Sequence, residues 1–316
     1  MTHNNALDLE KDLLNRLRSN NPQRGISALT QCAWGHYITP APDEHPEKSN
    51  KGLRLLVIGS WTLGMLAFEG VKELEDQHPD TVNITGLVTD DPLDPDAKIS
   101  MQKRFWHYYR GTRQEKYVFD LMEEALEYGV PCYTGEVKSD TFRSYLTEWK
   151  PDAIIVSAFG QLIDKPIIDF PTYGIYNVHP ADLLNGFGAG TQPWEDLIDR
   201  QAETTRVTIH KVSEEIDAGS VVGFSPLLNV RLAHNLCTDD ICLVGEKTLI
   251  PVKFMIKELI LKLCQKKESG KTGPIDSIDF EGCFSPADQA TLMLPIDPEQ
   301  RGHILPLSPQ HAEDTV

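Results

Sequence analysis

An asparagine and a histidine stand two residues apart in the segment YGIYNVHPADLLNGFGAG, which runs from Tyr173 to Gly190. Because alternate side chains of a strand point to the same face, we expect Asn177 and His179 to lie side by side. An amide can donate a hydrogen bond to a developing oxyanion, and an imidazole can move a proton. The pair suits a reaction at a carbonyl carbon. A loop-capping asparagine beside a hydrogen-bonded turn histidine would give the same two residues.

A carboxylate follows this histidine by 38 positions. Asp217 lies in the segment SEEIDAGSVV, where Asp-Ala-Gly predicts a tight turn between two strands. A carboxylate placed against an imidazole orients the ring and raises its pKa. On its own, Asp217 is more typical of a turn aspartate next to two solvated glutamates, Glu214 and Glu215. It becomes a candidate catalytic residue only together with the Asn-x-His pair.

The surrounding sequence predicts a scaffold for these residues. Apolar, partly β-branched segments suited to buried strands occupy residues 53–60, 82–90, 151–159 and 173–179. Segments with helical spacing lie between them. This alternation predicts an α/β fold with a doubly wound, Rossmann-like, mixed but mostly parallel sheet. Such sheets bind ligands at the carboxyl ends of their strands, where Asn177 and His179 are expected.

We expect three regions along the chain. Residues 1–51 form an N-terminal extension, in which Leu7, Leu9, Leu13, Leu14 and Leu17 line a short helix ahead of a linker. Residues 52–230 form the catalytic domain. Residues 231–316 hold one helix over 246–267 and then an extended tail. The apolar stretch Leu249–Leu263 fits either a homodimer contact or the core.

Composition disfavours several classes of function. No run approaches the roughly 20 apolar residues of a membrane helix, and the N-terminus lacks the apolar core of a signal peptide. The formal net charge of −17 opposes a broad nucleic-acid-binding surface. The six cysteines are scattered without metal-ligand spacing. The segment GSWTLG after the first strand is a poor dinucleotide-binding motif. We expect a cytoplasmic protein with free thiols, no metal, no membrane contact and no nicotinamide or ATP cofactor.

The order of the motifs resembles the N10-formyltetrahydrofolate-dependent formyltransferase family. A strand ends in Ser-Ala-Phe-Gly, and Asn-x-His-Pro, a glycine-rich loop and TIHKVSEEIDAG follow. The resemblance is firm over residues 150–230 and extends more weakly from residue 52. It implies the formyltransferase fold with N- and C-terminal extensions, and it implies N10-formyltetrahydrofolate as co-substrate. The pocket for that co-substrate, made by backbone and apolar groups, aligns with Phe159, Gly160, Gln161, Leu162, Ile163, Glu214, Glu215 and Ile216.

The resemblance also implies a mechanism. An acceptor amine attacks the formyl carbon, Asn177 and His179 stabilise the oxyanion and move the proton, and Asp217 holds the imidazole or an ordered water. One departure concerns the loop after the histidine, where the family often reads His-Pro-Ser-Leu-Leu-Pro and this chain reads HPADLLNG. Asn185 replaces the usual proline. We therefore expect the acceptor side of the site to differ.

A basic and aromatic segment is the candidate acceptor-binding region. The segment Lys103–Lys116, KRFWHYYRGTRQEK, contains five Lys or Arg and four aromatic residues. Basic groups beside aromatic rings can hold a phosphate and stack on a base or sugar. A basic helix start covered by packed aromatics is the alternative reading. The expected acceptor-binding residues are Arg104, Trp106, Tyr108, Arg110 and Arg113.

Several acceptors remain open at this stage. A nucleotide-linked amino sugar, a small-molecule amine, fits the compact charged segment and ranks first. Resemblance to the methionyl-tRNA enzyme would imply a C-terminal β-barrel, which the acidic tail does not resemble. A phosphoribosylglycinamide acceptor would imply a glycine-rich phosphate loop in place of GSWTLG. Formyltetrahydrofolate hydrolysis and folate binding without turnover are further alternatives.

Overall fold

The structure of the protein, a computed structural model, describes residues 14–44, 51–90, 115–190 and 192–300. Within these ranges nine strands form one sheet, in the order β1-β2-β5-β4-β3-β6-β7-β9-β10. The strands are β1 (Gly25–Ala28), β2 (His36–Thr39), β3 (Leu53–Gly59), β4 (Val82–Val88), β5 (Cys132–Tyr133), β6 (Ala153–Ser157), β7 (Ile175–His179), β9 (Thr208–Lys211) and β10 (Val221–Phe224). Two short strands, β8 (Thr204–Thr205) and β11 (Leu228–Asn229), pair separately.

The expected Rossmann-like α/β fold is confirmed. The five central strands, from β5 to β7, are parallel. Antiparallel pairs extend the sheet on both sides, with β2 on β5 and β9 on β7. The parallel strands are almost wholly buried on both faces, which explains their continuous apolar sequences. Their carboxyl ends meet along one edge.

Helices cover both faces of the sheet. In the described ranges they are α1 (Trp61–Gln77), α2 (Glu115–Glu127), α3 (Asp140–Trp149), α4 (Lys165–Ile168), α5 (Pro193–Asp199), α6 (Ile241–Leu249), α7 (Val252–Glu268), α8 (Phe280–Cys283) and α9 (Pro286–Leu292). One apolar cluster joins α1, α2, α6 and α7 to the sheet, and a second joins α3 and α4 to its other face. Three 3-10 turns lie at Leu183–Asn185, Ala233–Asn235 and Pro298–Gln300.

The C-terminal region differs from expectation in two respects. The single helix expected over 246–267 is two helices, because Pro251 lacks a backbone N–H and its ring clashes with the preceding turn. The expected extended tail contains α8 and α9, and a capping box of Ser285 and Asp288 starts α9. The apolar face of α7 packs against α1 inside the chain. Of the two alternatives for Leu249–Leu263, a homodimer contact or the core, the structure therefore supports the core.

The N-terminal region contributes directly to the sheet. Residues 14–20 are helical, and Leu17 is fully buried in the core, whereas Leu7, Leu9 and Leu13 lie outside the described residues. The hairpin β1–β2 then adds two strands next to β5. A buried ion pair joins Arg24 to Glu44 and to Glu123, at 2.6 and 2.8 Å. No strand was expected here, and the three-region division of the chain stays a prediction.

Candidate functional site

Three segments converge at the carboxyl edge of the sheet. Strand β6 ends at Ser157 and turns at Ala158, whose φ of 53° is rare for a residue with a side chain. Strand β7 carries Asn177 and His179. The turn between β9 and β10 carries Asp217, which has a φ of 51°. Such backbone strain persists where the surrounding structure holds it, and it is frequent at functional sites.

Asn177 contacts both Asp217 and a second histidine, His210 on β9. The register of the antiparallel pair β7–β9 places His210 directly opposite Asn177. His210 Nδ1 donates to the carbonyl of Lys211 at 2.9 Å, so the neutral ring keeps Nε2 as an acceptor. That nitrogen lies 3.0 Å from Asn177 Nδ2, which also donates to Asp217 Oδ1 at 3.3 Å. Both amide donors of Asn177 are therefore engaged.

His179 is buried beneath the glycine-rich loop. Its Nε2 donates to the carbonyl oxygen of Gly188 at 2.6 Å, and its Nδ1 lies 3.6 Å from Asp217 Oδ2. The same carboxylate oxygen accepts from the N–H of Gly190 at 2.7 Å. Asp217 thus ties the imidazole, the amide and the loop together, in the position that the sequence predicts for an orienting carboxylate.

Gly188 is required for this arrangement. Its φ is 63°, and a Cβ there would approach the Cβ of Ala181 to 2.6 Å and the backbone of Pro193 to 2.9 Å. The loop packs too closely for any side chain at this position. Gly186 has a similar φ of 71°, but a Cβ added there would meet no atom within 4 Å. Of these two glycines, only Gly188 is therefore needed for space.

Burial and charge set the protonation states of the cluster. Burial lowers the pKa of His179 below its ordinary 6.5, and the Asp217 charge and the Gly188 carbonyl offset only part of that effect. Burial alone would raise the pKa of Asp217, but His210, His179 and the Gly190 N–H together hold it below its ordinary 3.8. At neutral pH the cluster therefore contains a neutral His179 beside an ionised Asp217.

An open cavity of about 680 Å³ adjoins the cluster. Its walls include apolar side chains from the loop after β6 and from the turn after β9. Leu162 and Ile216 are large apolar residues that remain 51% and 58% exposed. The lining residues are Trp34, Glu136, Lys138, Ser139, Val156, Phe159, Gly160, Gln161, Leu162, Ile163, Asn177, His210, Val212, Ser213, Glu215, Ile216 and Asp217. The cavity thus has an apolar body and a polar, titratable end.

The loop after β6 is held in place by Asp90 and Gln161. Asp90 accepts from the backbone N–H of Gly160 at 2.5 Å and from Gln161 Nε2 at 3.3 Å. The Gln161 amide also donates to the carbonyl of Gly135 at 3.2 Å and accepts from the N–H of Val137 at 3.1 Å. The side chain of Gln161 therefore links this loop to the one after β5.

The structure brings together most of the residues that the sequence singled out. Asn177, Asp217 and seven of the eight expected donor-binding residues line the cavity, and Glu214 does not. His179 does not line the cavity, and its Nδ1 lies 3.6 Å from Asp217 Oδ2. The expected acceptor-binding residues Arg104, Trp106, Tyr108, Arg110 and Arg113 lie outside the described residues. Among the described residues, no group of three or more His, Cys, Asp or Glu is arranged to hold a metal ion. No helix in the described ranges is long and apolar enough to cross a membrane.

Comparison with known proteins finds formyltransferases. Residues 99–225 match the family described as formyl transferase. A methionyl-tRNA formyltransferase of Kosmotoga olearia is 31% identical over 156 residues, which are 48% of this chain and 49% of that protein. The phosphoribosylglycinamide formyltransferase structure from Anaplasma phagocytophilum superposes with a TM-score of 0.52 at 15% identity, covering 72% of this chain and 100% of that one. Part of the chain, residues 99–225, is therefore similar to formyltransferases.

The relationship to the full-length relatives is partial. A methionyl-tRNA formyltransferase of Bacillus licheniformis is 37% identical over 103 residues, which are 32% of each chain. The chain spans about half or less of the length of the curated relatives that it matches. The matched residues 99–225 include Asn177 and His179, and the substrates of the whole protein have to be argued from the site.

The sequence analysis missed two kinds of site residue. His210 was visible as a polar residue inside an otherwise β-branched strand, just ahead of the Asp217 turn. Trp34, Glu136 and Lys138 come from the loops before β2 and after β5. No local motif marks these three, because only the pairing of β2 with β5 brings them to the cavity.

Proposed function

We propose that the protein transfers a formyl group from N10-formyltetrahydrofolate to the amine of a small acceptor, with a nucleotide-linked amino sugar as the first candidate. One observation carries the proposal: Asn177, His179 and Asp217 form a connected cluster at the polar end of a cavity large enough for a cofactor-sized ligand. The match of residues 99–225 to the formyl transferase family supports the reaction class.

The cavity suits the folate donor. Leu162 and Ile216 come from different loops, and both expose large apolar side chains toward the same cavity. A flat ring that packs against them would remove apolar surface from water, which is the main driving force for binding in such sites. Backbone groups and Glu215 supply polar partners at the same walls. The residues present therefore fit a ligand with an apolar ring system and polar edges.

The cluster supplies the groups that formyl transfer requires. In the reaction a bond forms between the acceptor nitrogen and the formyl carbon, the bond from that carbon to N10 breaks, and one proton moves from the acceptor nitrogen to N10. Neutral His179 can accept a proton at Nδ1, where Asp217 Oδ2 at 3.6 Å would stabilise the resulting charge. Asn177 can donate to the formyl oxygen once one of its two present hydrogen bonds is exchanged.

The choice of acceptor rests on weaker support. The basic and aromatic segment Lys103–Lys116 suits a phosphate and a base or sugar, and the net charge of −17 disfavours a large nucleic-acid partner. The described residues 241–292 form helices packed on the core, where resemblance to the methionyl-tRNA enzyme would imply a β-barrel. A nucleotide-linked amino sugar is consistent with all three observations.

Methionyl-tRNA is the second candidate acceptor. The relatives with the highest identity quoted above are methionyl-tRNA formyltransferases. Their aligned portions are limited to about half or less of each protein, so the similarity supports the catalytic half more than the acceptor.

The test is release of tetrahydrofolate from N10-formyltetrahydrofolate, measured with and without each amine. The amines are nucleotide-linked amino sugars, phosphoribosylglycinamide and charged initiator tRNA. The variants are His179→Ala and, as a matched control, His78→Ala, which changes an exposed histidine after α1. We expect turnover that depends on an amino sugar, is abolished in H179A and is unchanged in H78A.

Each other outcome has a defined meaning. Turnover that depends on the charged tRNA would replace the first acceptor with the second. Release without any amine would indicate a hydrolase. Tetrahydrofolate release that is equal in wild type and H179A would contradict the proposed site.

A further inference from the structure

We propose that the hairpin β1–β2 is part of the donor site and that Trp34, in its loop, determines donor affinity by packing against a ring of the folate. The inference rests on the proposed function, because it names a further wall of the same cavity. Trp34 is a specificity-determining residue in this account and has no role at the reacting atoms.

The hairpin is fixed firmly enough to place a side chain in the site. Strand β2 pairs with β5 in the register Tyr37 to Tyr133. The N–H of His36 donates to Thr134 Oγ1 at 2.9 Å, and the N–H of Thr134 donates back to the His36 carbonyl at 3.0 Å. The Tyr37 ring stacks on Tyr145 of α3 with centroids 4.1 Å apart. The loop that carries Trp34 is thus anchored on both sides.

The backbone of this loop lies directly against the loop after β5. Gly35 has a φ of 104°, and a Cβ there would meet the Cα of Gly135 at 2.4 Å. Backbone contacts this close leave little freedom for the neighbouring residue. Trp34 is 6% exposed and lines the same cavity as Gly160 and Asn177.

Trp34 lies toward the end of the cavity that is remote from the catalytic cluster. Strands β5 and β7 are four positions apart in the sheet order, and neighbouring strands are about 4.8 Å apart, so the cavity edge spans roughly 19 Å between them. Asn177 is on β7, whereas Trp34, Glu136 and Lys138 belong to the segments around β5. An elongated ligand is needed to contact both ends.

The chemistry of this end suits an aromatic ligand with acceptor atoms. The indole N–H of Trp34 is buried and has no hydrogen-bond partner among the described residues. A buried indole N–H usually has one. Lys138 is exposed, lines the same cavity and offers a positive charge. A folate has two ring systems, acceptor atoms on the rings and carboxylates at one end, and so it matches all three features.

The experiment is calorimetric titration of tetrahydrofolate into wild type, Trp34→Ala and Trp34→Phe, with Trp194→Phe as the matched control. Trp194 donates to Thr248 Oγ1 and does not line the cavity. We expect the Kd to rise about tenfold in W34A, since an aromatic contact with its buried area contributes about 1.4 kcal/mol. W34F should lose about threefold or less, and W194F should match wild type.

A second titration with tetrahydropterin, which lacks the p-aminobenzoyl-glutamate part, identifies the ring. If W34A weakens both ligands alike, Trp34 contacts the pteridine, and if it weakens only tetrahydrofolate, Trp34 contacts the p-aminobenzoyl ring. Either result supports the inference. Cooperative thermal unfolding shows that each variant is folded, and Trp34→Leu replaces W34A if the alanine undocks the hairpin.

Two results would overturn the inference, and they are distinguishable. If wild type binds tetrahydrofolate and the folded Trp34 variants bind it equally well, the hairpin is outside the donor site and the proposed function stands. If wild type itself binds no tetrahydrofolate, the proposed function fails and the inference fails with it.

Discussion

His210 offers the sharpest test of how the cluster works. Its ring is 2% exposed, and its Nε2 accepts from Asn177 Nδ2 at 3.0 Å while lying 3.4 Å from Asp217 Oδ1. The change His210→Ala removes this hydrogen bond and leaves the Asn177 amide without one of its two partners. His210→Gln retains an acceptor oxygen at a similar distance from the backbone. The two variants therefore separate the hydrogen bond from the volume of the ring.

The expected effect follows from the lost hydrogen bond. A hydrogen bond of this kind contributes about 1–1.5 kcal/mol. In an activation free energy this is roughly a 5- to 13-fold decrease in kcat. The KM for the donor should change little, because His210 orients Asn177 and leaves the apolar body of the cavity intact. H210Q should recover kcat to within about twofold of wild type, since it retains an acceptor for Asn177.

The assay is steady-state tetrahydrofolate release at saturating donor and acceptor, with thermal unfolding as a check on each variant. A folded H210A enzyme with wild-type kcat would refute the positioning role. The same conclusion would follow if H210Q were as slow as H210A, because an acceptor atom would then not be what His210 provides.

Three further predictions concern protonation, loop packing and stability. Burial lowers the pKa of His179 and the neutral ring is the proton acceptor, so kcat/KM should fall as pH drops through a value below 6.5. Asp217→Asn should move this acid limb lower still, because the Asp217 charge raises the pKa of His179. An acid limb above 6.5 in a pH–rate profile would contradict this prediction. Gly188→Ala should lower kcat by roughly tenfold or more, because the added Cβ would displace the carbonyl that holds His179. Gly186→Ala is the control: its φ is similar and the space around it is open, so it should keep near-wild-type kcat in the same assay. Asp152 pairs with Arg54 and Lys267 at 2.9 and 2.8 Å, and these partners hold its pKa below 3.8 although burial raises it. Asp152→Asn should therefore lower the free energy of unfolding by about 1–2 kcal/mol at pH 7, measured by urea denaturation. This difference should vanish as pH falls below 3.8, and a difference that persists there would contradict the charge-based explanation.

The sequence predicts the central scaffold well because the signals are local. Continuous apolar runs such as Leu53–Gly59 reflect burial of a strand on both faces. The spaced apolar residues of a helix such as Asp140–Trp149 reflect burial of one face. Strand periodicity aligns the Asn-x-His pair, and Asp-Ala-Gly indicates a turn at Asp217. Their convergence was predicted from the family resemblance, because the pairing of β7 with β9 that joins them is not local. The catalytic roles of these residues stay predictions.

The features that were missed depend on pairing across long stretches of chain. His210 reaches Asn177 only through the register of β7 on β9, which no local pattern encodes. The hairpin strands Gly25–Ala28 and His36–Thr39 have four residues each, which is too short to show an apolar–polar alternation. Their pairing partner β5 lies about a hundred residues away, and it alone brings Trp34 to the cavity. Pro251 was a local signal for the break between α6 and α7, but the apolar spacing around it masked the break.

The most direct test of the central claim is single-turnover transfer of an isotopically labelled formyl group. Donor carrying a labelled formyl carbon is mixed with excess protein and the amine that the panel selects, and the label is followed by mass spectrometry in wild type, Asn177→Ala and His179→Ala. We predict that the label appears on the acceptor nitrogen in wild type and that both variants bind tetrahydrofolate normally while transferring at least a hundredfold more slowly. Transfer at the wild-type rate in either folded variant would show that the cluster of Asn177, His179 and Asp217 is not where the reaction takes place.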